Sequence, residues 1–194
     1  MTAACGSDGI ARVWGSTPEE RALTFPGDAG CDPAAQRLWR AVGVAAPAAT
    51  VFRWLCQLRV APYSYDWIDN RGRRSPATLT PGLERLERGQ TFMSIFRLVD
   101  FEPGAHMTLE IPAGSPAARL FGAVGVTYWA RAIGPNDSRL LVKLRVTPPR
   151  SPFAWLLRTL LPWGDLVMMR RQLLNLKALA EGRCAPAGAR KSRS

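Results

Sequence analysis

Apolar positions recur along this chain with two periods. From Arg139 to Thr147 they alternate: Leu140, Val142, Leu144 and Val146 share one face, and Arg139, Lys143 and Arg145 the other. A period of two marks a β-strand with one buried side. Leu120–Arg131 repeats it with Val124, Val126 and Tyr128, and His106–Ile111 with Met107, Leu109 and Ile111. Thr91–Phe101 reads as a further strand and Gln36–Ala45 as the first. Turn signals separate these runs at Glu102-Pro103-Gly104, Pro112–Pro116 and Gly134-Pro135-Asn136-Asp137, and Pro148-Pro149 ends the series.

Helical spacing appears elsewhere. After Pro47, Val51, Phe52, Leu55 and Leu58 form a stripe that ends near Arg59. Thr17-Pro18-Glu19-Glu20 has the form of a capping box, and Thr80-Pro81 opens a short helix expected to stop at Gly89. The longest helical stretch is Ser151–Arg183, with Ser151 as N-cap and Pro152 at the first position. It carries two stripes. Leu156, Leu157 and Leu160 form one, and Leu166, Met169, Leu173, Leu176 and Ala180 the other. At roughly 100° per residue they lie on nearly opposite sides of one rod, which would expose one of them. The pattern therefore predicts a short helix, a break near Pro162, and a main helix from about Asp165 to Glu181, with Asp165 as its cap. A single antiparallel sheet with one apolar face needs a helix to cover it, so the class is α+β.

Composition narrows the function. The chain has 194 residues, enough for one domain with a core, and 47% of them are hydrophobic. Three parts are expected: an N-terminal arm over 1–33, a folded domain over 34–182, and a basic disordered tail over 183–194. The start MTAACGSDG lacks the basic and apolar runs of a secretory signal, and the apolar stretch at 153–169 is too interrupted to span a bilayer. Cys5, Cys31, Cys56 and Cys184 show no CxxC spacing and read as free thiols of a cytoplasmic protein. The net charge is +11, which admits nucleic acid or an anionic membrane as partner. Yet arginines are spread along the chain and no nucleic-acid-binding signature accompanies them, so nucleic acid is not expected.

The order strand, helix, short helix, antiparallel strands and long C-terminal helix resembles the helix-grip fold of the START-like, or SRPBCC, superfamily. The resemblance rests on LWRAVGVAAPAATVFRWLCQL (38–58), FGAVGVTY (121–128), SRLLVKLRV (138–146) and the closing helix, and spans 36–182. It implies a curved antiparallel sheet gripping a helix, with an apolar cavity between. Members of the superfamily bind hydrophobic small molecules, lipids or polyketides. Fold alone does not fix function.

Within that frame the expected cavity lining is Tyr65, Trp67, Phe96, Met107, Leu109, Tyr128, Leu144, Met168 and Met169. Three aromatic rings fall on one side of Tyr63–Asn70, beside Asp66 and Asp69, and could form a cavity mouth; the alternative is a packed edge strand with surface ion pairs. Three functions stay open. One is binding, with or without transport, of a hydrophobic molecule or lipid, and the reading leans to this non-enzymatic role. Another is an enzyme of the polyketide cyclase or dehydratase kind, with Tyr65, Asp66 and Asp69 moving protons. A third is an interaction module whose pocket is filled. No metal or cofactor is expected. The lone histidine, His106, lies opposite Met107 and Leu109 and points away from the core to the surface. The aromatic, leucine-rich segment Phe153–Trp163, beside Arg158 and the basic tail, suggests a peripheral membrane contact.

Overall fold

The computed structural model describes residues 9–28, 32–65, 74–149 and 154–183. Six antiparallel strands form one sheet: β1 (Gln36–Val44), β2 (Thr91–Phe92), β3 (Phe96–Glu102), β4 (His106–Glu110), β5 (Ala123–Ala132) and β6 (Ser138–Thr147). Their spatial order is β1-β6-β5-β4-β3-β2, so the first strand lies against the last. The expected parity holds. Met107 pairs with Tyr128, Leu109 with Val126, and Val126 with Leu144, which sets their side chains on one face. These residues join Leu38, Leu140 and Val142 in the main core.

Five helices complete the described chain. α1 (Ile10–Val13) and α2 (Pro18–Arg21) belong to the arm, α3 (Ala48–Cys56) follows β1, α4 (Pro116–Phe121) precedes β5, and α5 (Ala154–Ala180) closes the fold. The α2 capping box is formed as expected: Glu20 N donates to Thr17 Oγ1, and Thr17 N to Glu20 Oε2. α3 buries Val51, Phe52, Trp54, Leu55 and Cys56. α5 buries Leu166, Met169, Leu173 and Leu176.

Four element expectations are corrected: Leu120 and Phe121, read as the start of a strand, end helix α4 instead, and three others follow. The break near Pro162 is absent, and α5 runs through it for 27 residues, about 40 Å. Proline removes the N–H that the Arg158 carbonyl would accept from, and Gln36 Nε2 of β1 donates to that carbonyl at 3.3 Å in its place. Thr80–Gly89 forms turns rather than a helix: Gly82 and Gly89 sit at φ 83° and 88°, which ends helical propagation. The run Thr91–Phe101 is split, because Met93 and Ser94 adopt φ 45° and 65° and fold it into the β2–β3 hairpin.

The arm wraps the sheet. α1 packs beside β1 and α5, and the Ala41 amide donates to Trp14 O at 3.1 Å. At Gly15 the chain passes so close to β1 that a Cβ would meet Ala41 O at 2.1 Å; with φ 75°, only glycine suits the crossing. Beyond it the arm covers the outer face of the sheet. Phe25 packs with Ala41, Leu141, Trp39 and Trp129, and its ring meets Trp129 edge-on at 5.5 Å. The outward cations of β6 are therefore paired: Arg139 with Glu20 at 2.6 Å and Lys143 with Asp28 at 2.8 Å.

Candidate functional site

A cavity of about 630 Å³ lies between the sheet and α5. The sheet contributes Phe96, Val124, Val126, Tyr128, Leu144 and Val146, and α5 contributes Leu160, Leu161, Gly164, Asp165, Met168, Met169 and Gln172. Pro62, Ser64, Met93, Ser94, Ile95, Ile111 and Phe121 complete the wall. Apolar walls with few polar groups characterise small-molecule sites, and the volume falls in their usual range.

Of the residues singled out in the sequence, Phe96, Tyr128, Leu144, Met168 and Met169 border this space. Met107 and Leu109 face the same side of the sheet but are wholly enclosed by the core and do not reach it. Tyr65 is half-buried and not part of the wall. Trp67, Asp66 and Asp69 lie outside the described residues, as does Phe153. His106 points away from the cavity as expected, but it is not a surface residue. It is buried on the outer face, with Nε2 3.2 Å from Asp100 Oδ2. Cys56 is a free thiol buried in the core, where desolvation pushes its pKa up to about 12, so it is no nucleophile.

Three of the cavity's polar groups, Tyr128, Gln172 and Asp165, meet at one face of α5. Tyr128 Oη donates to Gln172 Oε1 at 2.7 Å, and Gln172 Nε2 donates to Pro62 O at 2.6 Å. One α5 side chain thus orients the phenol and pins the Pro62–Ser64 loop. Burial raises the phenol's pKa far above its ordinary value. Among the described residues Asp165 is the only ionisable carboxyl in the wall. Its Oδ2 accepts from Arg40 Nη2 at 2.7 Å, and the Arg40 side chain is 0% exposed. Arg40 also donates to Ala11 O, Trp39 O and Pro162 O, joining arm, sheet and helix. Desolvation pushes the Asp165 carboxyl up to about 6 against the attraction of Arg40, and pulls Arg40 down from its usual value.

Asp165 and Gln172 are the site residues that sequence reasoning missed. Both interrupt the buried stripe of Leu166, Met169, Leu173 and Leu176 with polar groups, and that interruption is the signal. A second feature marks the rim. The described non-glycine residues with positive φ are Tyr63, Met93 and Ser94; the last two line the cavity and Tyr63 stands between two residues that do. Such backbone gathers where a site is built.

No family model and no curated protein matches the chain. Solved structures do. An aromatase/cyclase from Streptomyces sp. R1128 superposes with a TM-score of 0.51 at 16% identity, over 79% of this chain and 98% of that one. A solution structure from Thermobifida fusca gives 0.47 at 17%, over 74% and 94%. Norcoclaurine synthase from Thalictrum flavum, as a point mutant with a transition-state analogue, gives 0.45 at 10%, over 79% and 98%. At such identities likeness speaks to fold and not to activity. With the sheet order, the closing helix and the near-complete span of the first of these structures, the chain adopts a helix-grip fold.

Proposed function

We propose that this protein binds a hydrophobic small molecule with one polar end in the cavity between sheet and α5. The observation that carries the reading is a largely apolar space of about 630 Å³ in which Tyr128, Gln172 and Asp165 form a polar group at α5, with Ser64 and Ser94 the other polar side chains of the described wall. Burial of apolar ligand surface, at about 25 cal/mol per Å², would supply the affinity. The hydroxyl, amide and carboxyl would orient a ligand hydroxyl or carbonyl. Phe96, Leu144, Met168 and Met169 would grip its apolar body, Met168 and Met169 adapting to its shape. A lipid, a sterol-like compound or a polyketide meets this description.

Native mass spectrometry of freshly purified protein, followed by solvent extraction, tests it. A discrete extra mass that extracts as an apolar compound supports binding. A bare mass, with no uptake of added hydrophobic probes, refutes it. Met168→Trp fills the cavity from the helix side and is expected to exclude the ligand while leaving the melting temperature within a few degrees.

One observation favours a second reading, a cyclase-like enzyme. The Asp165 carboxyl has its pKa pushed up to about 6 inside an apolar cavity, close to the pH at which a general base works best. The ionised carboxylate would take a proton from a carbon between two carbonyls of a bound chain. The enolate carbon would form a bond to a second carbonyl carbon, and the resulting alkoxide would recover that proton from Asp165. Tyr128 would turn its O–H from Gln172 Oε1 to the developing oxyanion. In this reading Asp165 and Tyr128 take the roles first expected of Tyr65, Asp66 and Asp69. Turnover of a poly-β-carbonyl probe that is lost in Asp165→Asn, with binding retained, would separate catalysis from carriage.

A further inference from the structure

The unbroken course of α5 leaves its first apolar stripe outside the fold. Leu156, Leu160, Trp163 and Val167 follow each other at spacings of four, three and four, and so share one face. Leu160 is 57% exposed, Trp163 55% and Val167 52%, and the neighbouring Trp155 is 66% exposed. The opposite stripe holds the helix to the sheet, so the two faces of α5 have separate tasks.

This stripe belongs to a larger surface. Leu160 also borders the cavity, as do Ile95 of the β2–β3 hairpin and Phe121 of α4, and these two are also exposed. Leu120, next to Phe121, is 60% exposed. Three separate elements thus present large apolar side chains around one cavity mouth. A contiguous apolar rim of this kind marks an interaction surface.

The charge around it selects the partner. Across 93–96, 115–122 and 154–171 the only acidic residue is Asp165, which faces inward to Arg40. The bases in the same segments are Arg119, Arg158, Arg170 and Arg171, all exposed. Two copies placed rim to rim would oppose like charges. An anionic bilayer satisfies both features: indole rings suit the boundary between headgroups and acyl chains, and guanidinium groups suit anionic headgroups. Among the described residues no helix is long and apolar enough to cross a membrane, so the contact is peripheral.

We propose that the rim of the cavity mouth, formed by the outer stripe of α5, the tip of the β2–β3 hairpin and α4, docks on an anionic lipid bilayer. The inference rests on the cavity reading only for its consequence, that an apolar ligand passes between bilayer and cavity without crossing water.

The test is flotation of the full-length protein with phosphatidylcholine vesicles, with and without phosphatidylglycerol. The protein is expected to float with the anionic vesicles and to be released as salt rises. The triple variant Trp155→Ser/Trp163→Ser/Val167→Ser alters only exposed positions that lie outside the cavity wall. It is expected to weaken binding about tenfold or more while melting like the wild type. Arg119→Glu/Arg158→Glu should remove the salt-sensitive part. Quenching of wild-type tryptophan fluorescence by brominated lipid gives a readout that needs no variant. Absence of flotation and of quenching would overturn the proposal. So would a triple variant that floats like the wild type, or a concentration-dependent dimer lost in the triple variant without flotation, which would assign the rim to a second copy. Native mass spectrometry of the triple variant separates the two proposals, because a retained ligand mass leaves the cavity reading standing whatever the vesicles show.

Discussion

Asp165 and Arg40 are a buried pair whose removal is not symmetrical. Replacing Arg40 alone leaves a carboxyl in the cavity wall without its cation, and Arg40→Met is expected to lose about 3–5 kcal/mol. Arg40→Met/Asp165→Leu should recover much of that loss, since two apolar side chains leave no charge uncompensated. Urea unfolding of the three proteins checks the ordering. The pair also gives stability a pH dependence of defined sign. The ordinary Asp165 carboxyl titrates near 3.8, and in the folded state near 6. Between those values the unfolded chain has already released a proton that the folded chain still holds. The Asp165 contribution therefore falls as pH rises from about 4 to about 6 and is level above. The difference in urea midpoint between wild type and Asp165→Asn, followed across that window, isolates it. Groups such as Asp100, whose pKa is lowered by a hydrogen bond from His106, act in the opposite sense and cancel in the difference. Little of this pair is legible in the sequence. Aspartate after a proline-glycine break is a sound helix cap, and its partner lies 125 residues away.

At the scale of elements, β4, β5 and β6 were legible because apolar residues alternate onto one face of each. Leu140, Val142 and Leu144 face the core in the register that alternation dictates. The helices were legible where they run for several turns or open on a capping box, as α2 does. α4 spans six residues, too few for a periodic stripe, so its Leu120 and Phe121 read as the start of β5; its Ser115 cap, which accepts from Ala118 N at 3.1 Å, was the available clue. Leu79, Leu83 and Leu86 fall at helical spacing and do pack on the core, but the glycines between and beyond them set the backbone. In α5 the phase argument was sound and its conclusion was not. Leu156 and Leu160 of the first stripe lie opposite the buried second stripe, and the chain exposes them instead of breaking. The Gln36 amide removes part of the reason for a break, because it satisfies the carbonyl that Pro162 strands. Pro162→Ala is therefore expected to preserve the helix and to raise stability by about 1 kcal/mol, read as a higher melting temperature.

At the scale of the molecule, the arm supplies a third layer that composition did not announce. Its Gly, Ala, Asp and Pro content reads as irregular, yet Phe25 is 3% exposed. Phe25→Ala should cost about 3 kcal/mol, since the site is closed by Trp129, Ala41 and Leu141 and cannot collapse freely. Removal of residues 1–28 uncovers that apolar patch together with Lys143. Such a truncated chain is expected to aggregate at concentrations where the full chain stays monodisperse in light scattering. The arm also accounts for part of the basic surface: Glu20 and Asp28 neutralise cations of β6, and the unbalanced charge lies elsewhere.

Arg40 also sets an order of assembly. Its guanidinium contacts residue 11 on one side and residues 162 and 165 on the other. During synthesis α1 leaves the ribosome before α5, yet the groove between β1 and α5 that receives α1 does not exist until α5 has been made. The earlier segment thus cannot take its final place until the later helix has been translated.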